Sequence, residues 1–334
     1  MASVYLLGSE GTGWSIDYDY NHTEMFLLSL GHKISNPIAA DLVHAVWWNK
    51  IIRRRTLPLH YKPVMAVVTN EVDTDSKDFK RGQDIIDLWI VPSDRAYEKL
   101  DPYVDVKYQP FYVDERVFQP LNLDQEELCA DLGINYKRLE NRFVIGSFQR
   151  DSLGENLQAP KWQKNPELLV DILSELPNDE VLLFLAGPRR HWIINECERR
   201  GIPYLFYGSD PEPGVDDLSY NVWGKWTMNK LYNLIDCYIV PSTSEGGPKA
   251  ILESAWTKTH VLSTDVGLAS DIIDDWCIYE NSDEAVEKVI DLMTNDTDDI
   301  LLEYQHKKVV ERASYTAMLK RWNNIYEYFE TAHL

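Results

Sequence analysis

Ten short apolar runs punctuate this 334-residue chain, at residues 4–7, 42–48, 64–68, 88–91, 106–111, 143–147, 181–186, 204–207, 237–240 and 260–263. They are rich in Val, Ile and Leu. Continuous apolar runs of this length are strands covered on both faces, the pattern of parallel sheets. Between them lie segments with helical spacing, at 22–30, 165–175, 191–200, 228–235, 249–257, 282–295 and 314–328. Strand–helix alternation of this kind predicts an α/β chain whose helices pack on both faces of the sheets. A single core stops growing at roughly 250–300 residues, so two doubly wound domains are expected. Residues 1–135 form the first and 136–312 the second, joined through the polar, acidic stretch 118–141, which contains Pro120. The last helix, 313–334, carries Leu319, Trp322, Ile325, Tyr326 and Phe329 at helical spacing. It either crosses back to the first domain or caps the second.

The formal net charge is -21, so the chain as a whole repels polyanions and nucleic acid is disfavoured as a partner. Its four cysteines, Cys129, Cys197, Cys237 and Cys277, show neither close pairing nor zinc spacing and read as reduced thiols of a cytoplasmic protein. The first residues lack the basic and apolar regions of a signal peptide, and no run reaches the roughly 18 apolar residues of a spanning helix.

The segment Pro241-Ser-Thr-Ser-Glu-Gly-Gly-Pro-Lys-Ala-Ile-Leu-Glu253 follows one of the apolar runs. A strand that ends in a glycine turn and restarts as a helix gathers free N–H groups and a helix dipole at one point, which suits a phosphate. Glu245 and Glu253 flank the turn and can accept hydrogen bonds from sugar hydroxyls. Gly246 and Gly247 let backbone approach a ligand closely, Pro248 suits the first helical turn, and Lys249 is a solvated charge or a phosphate contact. The segment therefore reads as a site for a nucleotide-linked sugar.

This motif resembles the signature of the retaining glycosyltransferases of GT-B fold, glycosyltransferase family 4. Asp41-Leu-Val-His-Ala-Val-Trp47, Ile90-Val-Pro-Ser93, Gln109-Pro-Phe-Tyr-Val-Asp114, Phe184-Leu-Ala-Gly187 and Val222-Trp-Gly224 resemble other pieces of that family and occur in its order. The likeness is specific over about residues 140–275 and looser before them. It implies two Rossmann-like domains facing a cleft, the first binding the acceptor and the second the nucleotide sugar. It implies that Glu245 contacts the donor sugar near the reacting carbon, that Glu253 holds the ribose, and that an Arg and a Lys clamp the diphosphate. Arg150 and Lys164 are the candidates for that pair, with Lys161 a rival to Lys164, because the stretch 151–161 separates the two cations more widely than is usual.

The loop Gly8-Ser-Glu-Gly11-Thr-Gly13 follows the first strand, and the family uses a glycine loop there beside the donor phosphate and acceptor; the plain reading is a tight turn. Trp223 stands where the family holds the base, and can stack on it or fill the core. Where family members often carry a His, this chain has Asn70, which can bond a sugar hydroxyl but cannot act as a charged acid. His44 is an acceptor-side candidate or a structural residue. Arg54, in the basic run Arg53-Arg54-Arg55 with Lys50 and Lys62 near in sequence, can steer an anionic acceptor or a lipid headgroup in peripheral membrane contact. Asp17-Tyr-Asp19 and Asp73-Thr-Asp75 match the two-aspartate metal motif of a different glycosyltransferase fold, a match that arises often by chance in so acidic a chain.

The expectation is a metal-independent, retaining glycosyltransferase with no cofactor beyond its nucleotide-sugar co-substrate, either UDP-, GDP- or ADP-linked. Its acceptor, a saccharide, a lipid-linked molecule or a small molecule, is not named by the sequence. A catalytically silent sugar-nucleotide-binding subunit, or an epimerase or phosphorylase on the same fold, remains an alternative.

Overall fold

The computed structural model describes residues 1–11, 15–53, 62–294 and 298–334, and it divides into two compact units. The first comprises Met1–Tyr112, Glu245–Gly247 and Glu311–Leu334, and the second Val113–Ser244 and Pro248–Val310.

In the first unit, strands β1 (Ser3–Leu7), β2 (Lys33–Ile34), β3 (Leu42–Ala45), β4 (Val64–Val67), β5 (Leu88–Val91) and β6 (Val106–Tyr108) form one sheet in the order β2-β1-β3-β4-β5-β6. All pairings are parallel. Strands β3, β4 and β5 are buried along their whole length, as unalternating apolar runs require. Strand β2 is only two residues long and leaves no periodic signal. The run expected to be strand over 42–48 stops at Ala45, and its last residue, Trp48, opens a helix, Trp48–Arg53.

In the second unit, β7 (Phe143–Ser147), β8 (Val181–Ala186), β9 (Tyr204–Tyr207), β10 (Cys237–Val240) and β11 (His260–Ser263) pair in parallel in the order β11-β10-β7-β8-β9. Chain order reverses between β7 and β10, where Tyr238 lies beside Gly146. In open α/β sheets, ligands bind beyond the carboxyl ends of the strands at such a reversal. The loops after β7 and β10 lie at that reversal.

The helix Tyr315–His333 belongs to the first unit. Ser314 caps it by accepting from the Ala317 N–H at 3.4 Å. Met318, Trp322, Ile325, Tyr326 and Phe329 make its buried stripe. Tyr328 donates to Asp105 at 2.6 Å and Arg312, just upstream, pairs with Asp94 at 2.8 Å, so this helix is sewn to strands and helices near the start of the chain. The four cysteines are buried thiols. Among the described residues, no helix is long and apolar enough to cross a membrane.

Candidate functional site

Arg150 lies three residues past the end of β7. It is half-buried, and desolvation followed by the nearby charge of Arg189 pulls its guanidinium below the usual arginine range, against the partial help of Asp216. An arginine still remains charged there. A desolvated cation facing a second cation is a place where an anionic ligand gains more than it would at an open surface.

Three stretches of loop converge beside Arg150. The Gln149 amide donates to the Lys164 carbonyl at 3.3 Å, and its oxygen accepts from the Ser242 hydroxyl at 3.5 Å. The Gln163 carbonyl accepts from the N–H groups of Thr243 at 2.9 Å and Ser244 at 3.3 Å. The Lys161 N–H donates to the Asp151 carbonyl at 2.6 Å. The candidate cations Arg150, Lys161 and Lys164 and the start of the Pro241–Glu253 segment therefore share one hydrogen-bonded frame. Lys161 and Lys164 are both half-buried, and the Lys164 N–H donates to the Lys161 carbonyl at 2.8 Å, so they occupy one turn. Asn165 follows in the left-handed region at φ 43°, and Pro166 begins the helix Pro166–Glu175.

Pro248 stands one residue before the helix Lys249–Thr257, at the cap position rather than inside its first turn. Pro248 itself has no side chain able to cap that helix end. Lys249 is half-buried, and Gly247 is half-buried too. Gly246 is a glycine for a protein reason: a Cβ there would collide with the Thr69 carbonyl group and reach within 2.7 Å of the Asn70 nitrogen. Backbone packing within the first unit thus demands the residue that the sequence assigned to ligand approach. Glu245 beside it is half-buried.

Glu253 is the best-defined carboxylate of the segment. Tyr232, in the helix Lys225–Leu234, donates its hydroxyl to Glu253 at 2.6 Å. Burial raises the Glu253 carboxyl above its ordinary range, opposed by the Tyr232 hydrogen bond and by the charges of Lys249 and Lys225. The residue is half-buried by accessible surface, yet its carboxyl is packed among protein atoms. It is therefore no solvated surface charge, the plain alternative for a helical glutamate. Tyr232 and Lys225 escaped sequence reasoning because they lie 21 and 28 positions upstream of Glu253 on another helix, with no spacing signal to link them.

Sequence reasoning also missed the carboxylate that shapes the first loop. Asp17 accepts from the Ser9 hydroxyl at 2.8 Å and from the N–H groups of Glu10 at 2.7 Å and Gly11 at 3.0 Å. Half of the Asp17-Tyr-Asp19 match is thus occupied in tying down the glycine loop. Gly11 has φ +67° and nothing within 4 Å of its absent Cβ, so conformation, not crowding, selects glycine there. Gly13 and Arg54 lie outside the described residues, as does Arg55. Of the basic neighbours, Lys50 pairs with Glu10 at 2.5 Å and Lys62 bonds the carbonyls of Ile38 and Ala40. Among the described residues no group of three or more His, Cys, Asp or Glu side chains could hold a metal ion.

His44 requires correction as an acceptor-side residue. It is fully buried on β3, its Nδ1 lies 2.8 Å from the Tyr326 hydroxyl, and its ring packs on Trp322 at 5.1 Å. Desolvation pushes its pKa down to about 3. It is a neutral core histidine. Asn70 is exposed, but its oxygen accepts from the Trp48 indole at 3.0 Å and its amide donates to the Glu71 carbonyl at 2.9 Å. Trp223 is half-buried; its indole N–H donates to the Tyr207 carbonyl at 3.2 Å, and its ring lies 4.7 Å from that of Tyr207. The two rings line a groove along β9 with Gly208, Ser209 and Arg138.

This architecture is the GT-B fold of glycosyltransferases, two Rossmann-like α/β units. The chain belongs to the glycosyl transferases group 1 family, whose sequence pattern it matches over residues 140–312, and it is a glycosyltransferase. No curated protein matches it in sequence. It is similar to Anabaena HepE, crystallised with UDP-glucose, at 12% identity and a TM-score of 0.70, covering 98% of this chain and 100% of that one. A glycosyltransferase from Rickettsia africae is similar at 17% identity and a TM-score of 0.62, covering 97% of this chain and 84% of that one. A mutant form of S. aureus TarM, crystallised with fondaparinux, alpha-GlcNAc-glycerol and UDP, is similar at 14% identity and a TM-score of 0.61, covering 85% of this chain and 55% of that one.

Proposed function

We propose that this glycosyltransferase moves a sugar from a nucleotide diphosphate to an acceptor hydroxyl, with retention of anomeric configuration and without an essential metal. The observation that carries the reading is the joining of the Arg150, Lys164 and Ser242–Ser244 loops at the point where β7 and β10 reverse the chain order. Structures of HepE with UDP-glucose and of TarM with UDP support a uridine donor, with GDP and ADP sugars as the alternatives.

Glu253, held by Tyr232, accepts the two ribose hydroxyls. Glu245 accepts hydroxyls of the donor sugar near the reacting carbon. Gly246, Gly247 and Pro248 shape the turn, and the Lys249 end of the helix contributes positive potential. As the bond from the anomeric carbon to the diphosphate oxygen breaks, negative charge grows on the diphosphate, and Arg150 with Lys164 stabilises it. The acceptor oxygen bonds the anomeric carbon from the same face, and its proton passes to a donor phosphate oxygen. Gly11 and Gly13 contribute a loop for the donor phosphate, with the acceptor beside it.

Incubation with UDP-glucose, GDP-mannose and ADP-glucose in the presence of EDTA, followed by proton NMR of the first product formed, tests both finer claims. The expected product carries the donor's own anomeric configuration at an undiminished rate. An inverted product, or activity abolished by EDTA and restored by a divalent cation, contradicts them.

A further inference from the structure

Arg190 is a completely buried arginine with no role in the reading above. It follows the turn Gly187-Pro188-Arg189 after β8 and stands at the start of the helix His191–Arg200. Its guanidinium meets three partners at the end of β7 and in the loop after it, two by hydrogen bond and one by charge. One nitrogen donates to the Gln149 carbonyl, and another donates to the Ser147 hydroxyl at 2.9 Å. Its Nε lies 2.8 Å from the Asp151 carboxylate, an ion pair with 0% and 1% of the two side chains exposed, though the N–H is not aligned there for a hydrogen bond. The Asp151 carboxylate also accepts from the Ser152 hydroxyl at 3.0 Å, and the Asp151 and Ser152 N–H groups donate to the Arg189 carbonyl at 3.3 and 3.1 Å. Both residues flanking Arg150 are therefore gripped by one rigid cation.

We propose that Arg190 is a positioning residue for Arg150: by fixing Gln149 and Asp151 on either side, it holds the Arg150 guanidinium where the nucleotide diphosphate binds. The inference rests on the reading of Arg150 as a diphosphate-binding group. A guanidinium suits the task because its donors form a planar fork, whereas a lysine ammonium is a compact point charge on a flexible stem and cannot serve two acceptors and a carboxylate in that arrangement. Fixing the backbone on both sides of a charged side chain before the ligand arrives lowers the ordering cost of binding.

The test is a double-mutant cycle read by calorimetric binding of whichever of UDP, GDP and ADP the wild-type protein binds most tightly. The variants are Arg150→Ala, Arg190→Lys and the double substitution, each checked for an intact thermal transition. Arg150→Ala is expected to weaken binding at least tenfold, and Arg190→Lys by about fivefold or more. In the Arg150→Ala background, Arg190→Lys is expected to add less than a twofold loss, since its effect runs through a side chain already removed. Asp151→Asn, which keeps the shape of the buried pair, serves as the second variant should Arg190→Lys not fold, with the same expected loss and the same non-additivity. Equal losses from Arg190→Lys in both backgrounds, or no loss in either, overturn the positioning role while leaving the reading of Arg150 intact. An Arg150→Ala protein that binds as tightly as wild type, or a wild type that binds none of the three nucleotides, overturns that reading and the positioning role with it.

Discussion

Replacement of Arg150 by alanine is expected to lower kcat for sugar transfer by about 10²–10³-fold, the usual cost of removing one preorganised group that stabilises developing charge. The size follows from the setting. Arg150 is half-buried and faces the charge of Arg189, so it sits in a less polar environment than a surface arginine. Electrostatic interactions strengthen as the local dielectric falls. Charge on the departing diphosphate is greater in the transition state than in the bound donor, so kcat falls more than donor KM rises. Arg150→Lys is expected to recover only part of the rate, because an ammonium cannot present a bidentate fork to phosphate oxygens. Steady-state kinetics on the two variants checks this. A uniform rise in KM with kcat unchanged would show that Arg150 binds donor and transition state equally.

Acid is expected to destabilise the first unit through His44. The ring is fully buried and its pKa is pushed from 6.5 down to about 3 by desolvation. The unfolded chain keeps the ordinary value, so between these limits the unfolded state binds more protons than the folded state. The stability His44 contributes is therefore complete above pH 6.5 and is lost as the pH falls toward 3. Each pH unit inside that window is worth about 1.4 kcal/mol, which gives about 2 kcal/mol between pH 7 and pH 5. Asp151 acts in the opposite direction: burial raises it to about 6, so its contribution is lost as the pH rises. That contribution is common to wild type and a His44→Asn variant, and the difference between the two isolates His44. Urea unfolding at pH 7 and pH 5 is expected to show wild type losing about 2 kcal/mol more than the variant. Parallel losses would mean that the ring is charged in the folded protein.

The sheets were legible because their strands are runs of buried Val, Ile and Leu without alternation, and nothing but a parallel, doubly covered sheet accommodates ten of them. The segment from Pro241 to Glu253 was legible because its chemistry is local: strand, glycine turn and helix lie within thirteen residues. What stayed hidden depends on contacts between distant parts of the chain. Tyr232 meets Glu253, and Arg190 grips Gln149 across 41 positions, through the arrangement of the sheet and its helices and not through any spacing in the sequence. The sequence suggests Gly246 as a place where backbone approaches a ligand, whereas what crowds it in this structure is the backbone of Thr69 and Asn70. By spacing alone Asp17 matches half of a metal motif, whereas it accepts three hydrogen bonds from the preceding loop. His44 has no local mark that separates a core histidine from a ligand-facing one; only its depth beneath Trp322 and Tyr326 does.

The central claim is that the loops after β7 and β10 bind a nucleotide-linked sugar. Thermal unfolding in the presence of UDP-glucose, GDP-mannose and ADP-glucose tests it most directly. A donor present at 100 times its dissociation constant is expected to stabilise the protein by about 2.7 kcal/mol, and Glu253→Ala, which removes the ribose acceptor, is expected to abolish most of that shift. No stabilisation of the wild-type protein by any of the three donors or their nucleoside diphosphates would contradict the account.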